Sequence, residues 1–86
     1  MKIVTNGRQM VVGTELKLLF EKKLKRFDKY FDDDVTAYIT LARKKNLERL
    51  ELTISSKGTM FRSEVTADTF QTALDEAIEK ITRQIV

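Results

Sequence analysis

Residues 35–66 read VTAYITLARKKNLERLELTISSKGTMFRSEVT, and their alternation decides the fold. Val35, Ala37, Ile39 and Leu41 alternate with Thr36, Tyr38 and Thr40, and Leu50, Leu52 and Ile54 alternate with Glu51, Thr53 and Ser55. A period of two is that of a strand with one buried face and one wet face. Arg43-Lys44-Lys45-Asn46 reads as a basic turn between these two strands. Lys57-Gly58 is a two-residue hairpin signal, and Thr59 to Thr66 follows as another strand.

Upstream, Lys2 to Asn6 (KIVTN) is β-prone and stops at Gly7. Gly13-Thr14 opens a helix with Thr14 as its expected N-cap. That helix is predicted to run to Phe31, with Asp32-Asp33-Asp34 as a turn after it. Its apolar positions are Leu16, Leu19, Phe20, Leu24, Phe27, Tyr30 and Phe31, spaced in threes and fours. Downstream, Asp68 is the expected cap of the closing helix, and Gln71 completes a capping box. Phe70, Leu74, Ala77, Ile78, Ile81 and Ile85 form that helix's buried stripe. The order is β-α-β-β-β-α, an α+β fold. One-sided strands put both helices on one face of a four-stranded mixed sheet. A right-handed crossover makes the first two strands parallel, the hairpins make the rest antiparallel, and the two helices then run parallel to each other.

The 86 residues suit one domain, read as residues 1–86. The net charge is only +3, so its distribution matters more than its sum: eleven of the sixteen Lys and Arg lie at or before Lys45. Cysteine and histidine are absent, which removes disulfides, thiolate chemistry, the usual transition-metal ligands and the usual general base. Asp32, Asp33 and Asp34 do not converge on one ion and lack the spacing of a calcium loop. No paired catalytic constellation stands out, so neither an enzyme, a cofactor nor a small-molecule substrate is expected. No apolar run approaches the roughly 18 residues of a membrane span, and the N-terminal residues lack a signal-peptide pattern. A cytoplasmic protein without a membrane partner is the expectation.

At about 100° per residue, the first helix sorts its charges by sign about its stripe. Lys22, Lys25, Arg26 and Lys29 fall on one side, and Glu21 and Asp28 on the other. Lys80 and Arg83 fall on the corresponding side of the closing helix, with Asp75 opposite and Glu76 diluting the match. As parallel neighbours, the helices could join the two sets into one basic surface. The plain reading is an ordinary solvated face; the sharper one is a directed positive field suited to a polyanion. Lys23 projects near the stripe, where its stem covers core or its ammonium makes a contact, and both roles stand. Arg43, Lys44 and Lys45 either touch RNA or only keep a turn soluble, with the second reading preferred. Tyr30, Phe31 and Phe61 read as buried aromatics before base-stacking ones.

The whole chain resembles the N-terminal domain of the ribosome hibernation-promoting factors, the family that includes ribosome-associated inhibitor A. The likeness rests on Gly7-Arg8, Thr14, Lys23-Leu24, Arg26-Phe27 and Lys29-Tyr30, then Ala67-Asp68 with Phe70, Ala73, Asp75, Lys80, Arg83 and Gln84. It implies a partner, the small ribosomal subunit and its RNA, bound in the channel for messenger and transfer RNA, with translation silenced under stress. It carries over Lys23, Arg26, Lys29, Lys80 and Arg83 as ribosomal RNA contacts; helix geometry adds Lys22 and Lys25. Longer members add a C-terminal domain that dimerises ribosomes, which is not expected within these residues, and the closing helix of the family usually continues into further basic residues where this sequence ends at Val86. Such binding is mostly phosphate neutralisation, read by shape and backbone. Two other classes remain open. One is a protein-interaction module using the polar sheet face or the edge of the fourth strand. The other is a general double-stranded RNA binder, since an α-β-β-β-α core is embedded here. No motif bears on self-association.

Overall fold

A computed structural model describes residues 1–85; Val86, where the closing sequence ends, lies outside the described residues. The elements are β1 (Lys2–Gly7), α1 (Thr14–Leu24), a 3-10 turn (Lys25–Lys29), β2 (Thr36–Lys44), β3 (Leu47–Ser56), β4 (Thr59–Ala67) and α2 (Phe70–Ile85). They form one sheet in the order β1-β2-β3-β4. β1 pairs parallel to β2, while β2–β3 and β3–β4 are antiparallel. The α+β order read from the sequence is the one observed.

The register explains the core. Ala37 opposes Ile54, Ile39 opposes Leu52, and Leu41 opposes Leu50, which in turn faces Val65. All six residues of the β2–β3 pairs are fully buried, under Phe20, Leu24, Ala73, Leu74, Ala77, Ile78 and Ile81 of the helices. The alternate residues lie on the opposite face, where Tyr38 and Met60 are exposed. Gly7, the last residue of β1, must be glycine because the Met10 carbonyl lies 2.5 Å from where a Cβ would stand. Lys57 and Gly58 both have positive φ, 48° and 82°, the mark of a type I′ hairpin that suits strand twist.

Several local expectations shift. Thr14 is not the cap of α1: Gly13 holds that position in extended conformation, and its carbonyl accepts the first helical bond from the Lys17 N–H at 3.2 Å. Nor does Asp68 cap α2. Thr69 does, its Oγ1 accepting from the Thr72 N–H at 3.1 Å, while Glu48 of β3 accepts from the Phe70 N–H at 2.8 Å. Two oxygens thus satisfy two orphan donors, and Glu48 adds negative charge at the positive helix end. The four-residue basic turn shrinks to Lys45-Asn46, because Arg43 and Lys44 extend β2 against Glu48 and Leu47. Arg43 Nε bonds Glu48 at 2.9 Å and lies over the Phe70 ring.

Ser63 is the one buried polar residue, 6% exposed, opposite Leu52 and without a partner for its hydroxyl among the described residues. An unpaired buried hydroxyl carries a desolvation cost of about 1–3 kcal/mol. Ser63→Ala is therefore expected to leave the urea midpoint unchanged or raise it. A clear loss of stability would show that Ser63 has a partner.

Candidate nucleic-acid interface

The basic residues of the first helical segment sit where the helix changes type. The sequence reading carried one α-helix to Phe31; the structure tightens after Leu24 into the 3-10 turn. Leu24 and Phe27, three apart, both stay buried, which suits a geometry of three residues per turn. In that geometry residues i and i+3 eclipse, so Arg26 and Lys29 share one row and Lys25 and Asp28 share another.

The second row faces β1. Lys25 and Asp28 line an open cleft of about 290 Å³ with Glu21, Met1 and Ile3. Lys25 is thus placed among the acids, not beside Arg26. The buried stripe is centred on Phe20, Leu24 and Phe27, whereas Tyr30 is exposed and Leu19 only half-buried. That rotates the helix away from the orientation its apolar spacing suggested and carries Lys25 to the acidic side.

The Lys23 flank of α1 faces α2. Lys23 Nζ donates to Asp75 Oδ1 at 2.6 Å, so the flank of α1 that carries Lys22, Lys23 and Arg26 adjoins the Asp75 flank of α2. The other flank of α2 lies along β4. There the Gln84 amide donates to the Arg62 carbonyl at 2.8 Å and accepts from the Arg62 N–H at 3.2 Å. Lys80 precedes Gln84 by one turn and shares that flank. Arg83 bonds Glu79 at 2.6 Å, one turn back along α2.

The charges therefore lie in bands. Lys22, Arg26 and Lys29 form one along α1 and its 3-10 turn, and Lys80 with Arg83 form another on α2 beside β4. Asp75, on the flank toward α1, and Glu79, paired with Arg83, lie between them, while Glu76, one turn before Lys80, falls within the second band. The single surface considered from sequence resolves into two strips. Lys22, Arg26, Lys29 and Lys80 are exposed and make no ion pair among the described residues. Lys29 lies 5.1 Å from the centre of the exposed Tyr30 ring, while Phe31 and Phe61 are half-buried and pack edge to face. Asp32 pairs with Lys57 and Asp33 approaches the Met1 amine, so the acidic run divides between two cations.

The opposite sheet face is self-paired. Arg49 bonds Glu64 at 2.8 Å and Glu51 at 3.2 Å, and Arg62 approaches Glu51 at 3.6 Å. The Arg49 hydrogen bond is the main cause that holds the Glu64 carboxyl below the usual range. A lowered carboxyl favours the folded state above its unfolded value and ceases to as pH falls through the folded one. Because Glu64 and Arg49 are solvent-facing, this contribution is small.

A family profile described as Sigma 54 modulation protein / S30EA ribosomal protein matches residues 3–86. The chain belongs to this family. Its likeness to hibernation factors, read above from the helix motifs, is borne out by relatives. It is 31% identical over 87 residues to the ribosome hibernation promotion factor of Lactococcus lactis subsp. cremoris, covering 98% of this chain and 47% of that protein. It is 27% identical over 86 residues to the ribosome hibernation promotion factor of Mycobacterium tuberculosis, covering 93% of this chain and 39% of that protein. The chain thus spans about half or less of these relatives. Among solved structures, the Thermus thermophilus Protein Y N-terminal domain matches with a TM-score of 0.87 at 27% identity, covering 99% of this chain and 96% of that one. A ribosomal subunit interface protein from Coxiella burnetii shares the fold, with a TM-score of 0.84 at 20% identity and coverage of 99% and 93%.

Sequence reasoning placed Asp75 opposite the basic side of the closing helix and left open whether it holds a neighbouring basic side chain or only solvates the helix, and it named Gln84 only as a family motif residue. Both act here through contacts distant in sequence, to Lys23 and Arg62. A polar residue one turn from a basic one, with no local partner, is the only signal that could have marked Gln84.

Proposed function

We propose that residues 1–86 act as the ribosome-binding domain of a cytoplasmic hibernation factor. The domain occupies the messenger and transfer RNA channel of the small ribosomal subunit and silences translation without a chemical step. The observation that carries this reading is the Arg26–Lys29 row, exposed and free of ion pairs among the described residues, in a chain of the S30EA family. Lys22, Arg26 and Lys29 neutralise one run of phosphates, and Lys80 and Arg83 another. Arg26 and Arg83 can each offer two donors to a phosphate, while the lysines act as point charges. Lys25, facing Glu21 and Asp28, adds little, and Lys23 is already paired with Asp75.

The reading as an edge-docking protein module is disfavoured by a specific contact. β4 is an edge strand, yet the Gln84 amide takes both hydrogen-bonding groups of the Arg62 backbone, which blunts strand addition there. The test is cell-free protein synthesis with added domain, alongside sedimentation with small subunits, large subunits and plain duplex RNA. Inhibition with selective binding to small subunits is expected. Equal affinity for plain duplex would favour a general RNA binder, and no inhibition would remove the translational reading.

A further inference from the structure

Lys23 belongs to the basic motif, but its ammonium is engaged. It lies 2.6 Å from Asp75 Oδ1, and its side chain is only 24% exposed, against 55% for Asp75. The two residues are 52 apart in sequence and are the one ion pair joining α1 to α2 among the described residues. Lys22 and Arg26 flank Lys23 on the same side of α1. We infer that Lys23 is a positioning residue and not a phosphate contact. Its ion pair sets α1 against α2 and neutralises Asp75, which would otherwise stand as a bare carboxylate beside the Arg26 row. This rests on the RNA-binding reading and deepens it.

Two consequences separate the tether from a direct contact. A contact lysine acts through the phosphate it neutralises, so its loss lowers the slope of log affinity against log salt by about 0.7–0.9, whatever stands at position 75. A tether acts through Asp75. Its loss leaves a repulsive carboxylate in the phosphate path, and removing that carboxylate as well recovers binding. Lys23→Arg keeps both charge and reach, so it should preserve binding in either case and serves as the control for folding.

The experiment measures binding of Lys23→Met, Asp75→Asn and the double variant to small subunits across a salt series, with a urea unfolding cycle on the same proteins. The tether predicts that Lys23→Met weakens binding about three- to thirtyfold, the range of coupled neighbours. The double variant should return to within about twofold of the parent with the salt slope unchanged, and its unfolding midpoint should fall by less than the sum of the single shifts. Equal weakening in Lys23→Met and the double variant, with a reduced slope, would overturn the inference and make Lys23 a phosphate contact. If the parent itself failed to bind, the RNA reading would fall; additive midpoint shifts would then overturn the tether also, and non-additive ones would uphold it.

Discussion

Phe27→Ala is expected to cost about 3–5 kcal/mol, among the largest single losses in this domain. The Phe27 side chain is fully buried, at the centre of the 3-10 turn. Its ring meets Phe31 edge to face at 6.0 Å, and Phe31 meets Phe61 of β4 at 5.6 Å. Truncation leaves a cavity under the turn and breaks an aromatic chain that ties the turn to the far edge of the sheet. Domains of this size are stable by roughly 4–13 kcal/mol, so the loss is a large fraction of the whole. The melting temperature should fall by about 12 °C or more. The same residue bears on the proposed RNA contact, because the turn it anchors is what eclipses Arg26 with Lys29. Even where the variant remains folded, its affinity for small subunits should fall. A thermal melt within a few degrees of the parent would contradict this account of the turn.

The second large effect is electrostatic. Reversing Arg26 and Lys29 to Glu is expected to lower affinity for small subunits by about a hundredfold or more, at roughly 1.5–3 kcal/mol for each charge-assisted bond lost. The five phosphate contacts proposed for Lys22, Arg26, Lys29, Lys80 and Arg83 predict a log–log salt slope near −3.5 to −4.5. That slope corresponds to a loss of about a hundred- to five-hundredfold between 50 and 200 mM salt. The reversed pair should reduce the slope by about 1.4–1.8. Both side chains are exposed, so stability should move by no more than about 0.5 kcal/mol. Unaltered binding would remove the row from the interface.

The sheet was legible because its code is local. Alternation in β2 and β3 names the buried face outright, and Lys57-Gly58 names the hairpin. The helices were legible as amphipathic, but not in their rotation. A spacing of three, as from Leu24 to Phe27, fits an α-helix and a 3-10 turn alike, and only the core decides between them. The choice moves Lys25 from one charge band to another. The cap of α2 shifted by one residue because Glu48, twenty-two residues upstream of Phe70, satisfies a donor that local chemistry assigned elsewhere. Lys23 with Asp75, and Gln84 with Arg62, could not be read for the same reason: each partner is brought in by the fold. Charge signs along α1 and α2 were readable, yet their arrangement as two strips either side of α2 follows from packing.

The most direct test of the central claim, that the helical face and not the sheet face meets small-subunit RNA, is site-specific photocrosslinking. A photoreactive residue is placed in turn at the exposed Lys22 and Lys80 and, on the opposite face, at Thr53, which stands in register between Tyr38 and Arg62. With purified small subunits, crosslinks to ribosomal RNA are expected from positions 22 and 80 and not from position 53. Crosslinks from position 53 alone, or from none of the three in a sample that co-sediments, would contradict the account.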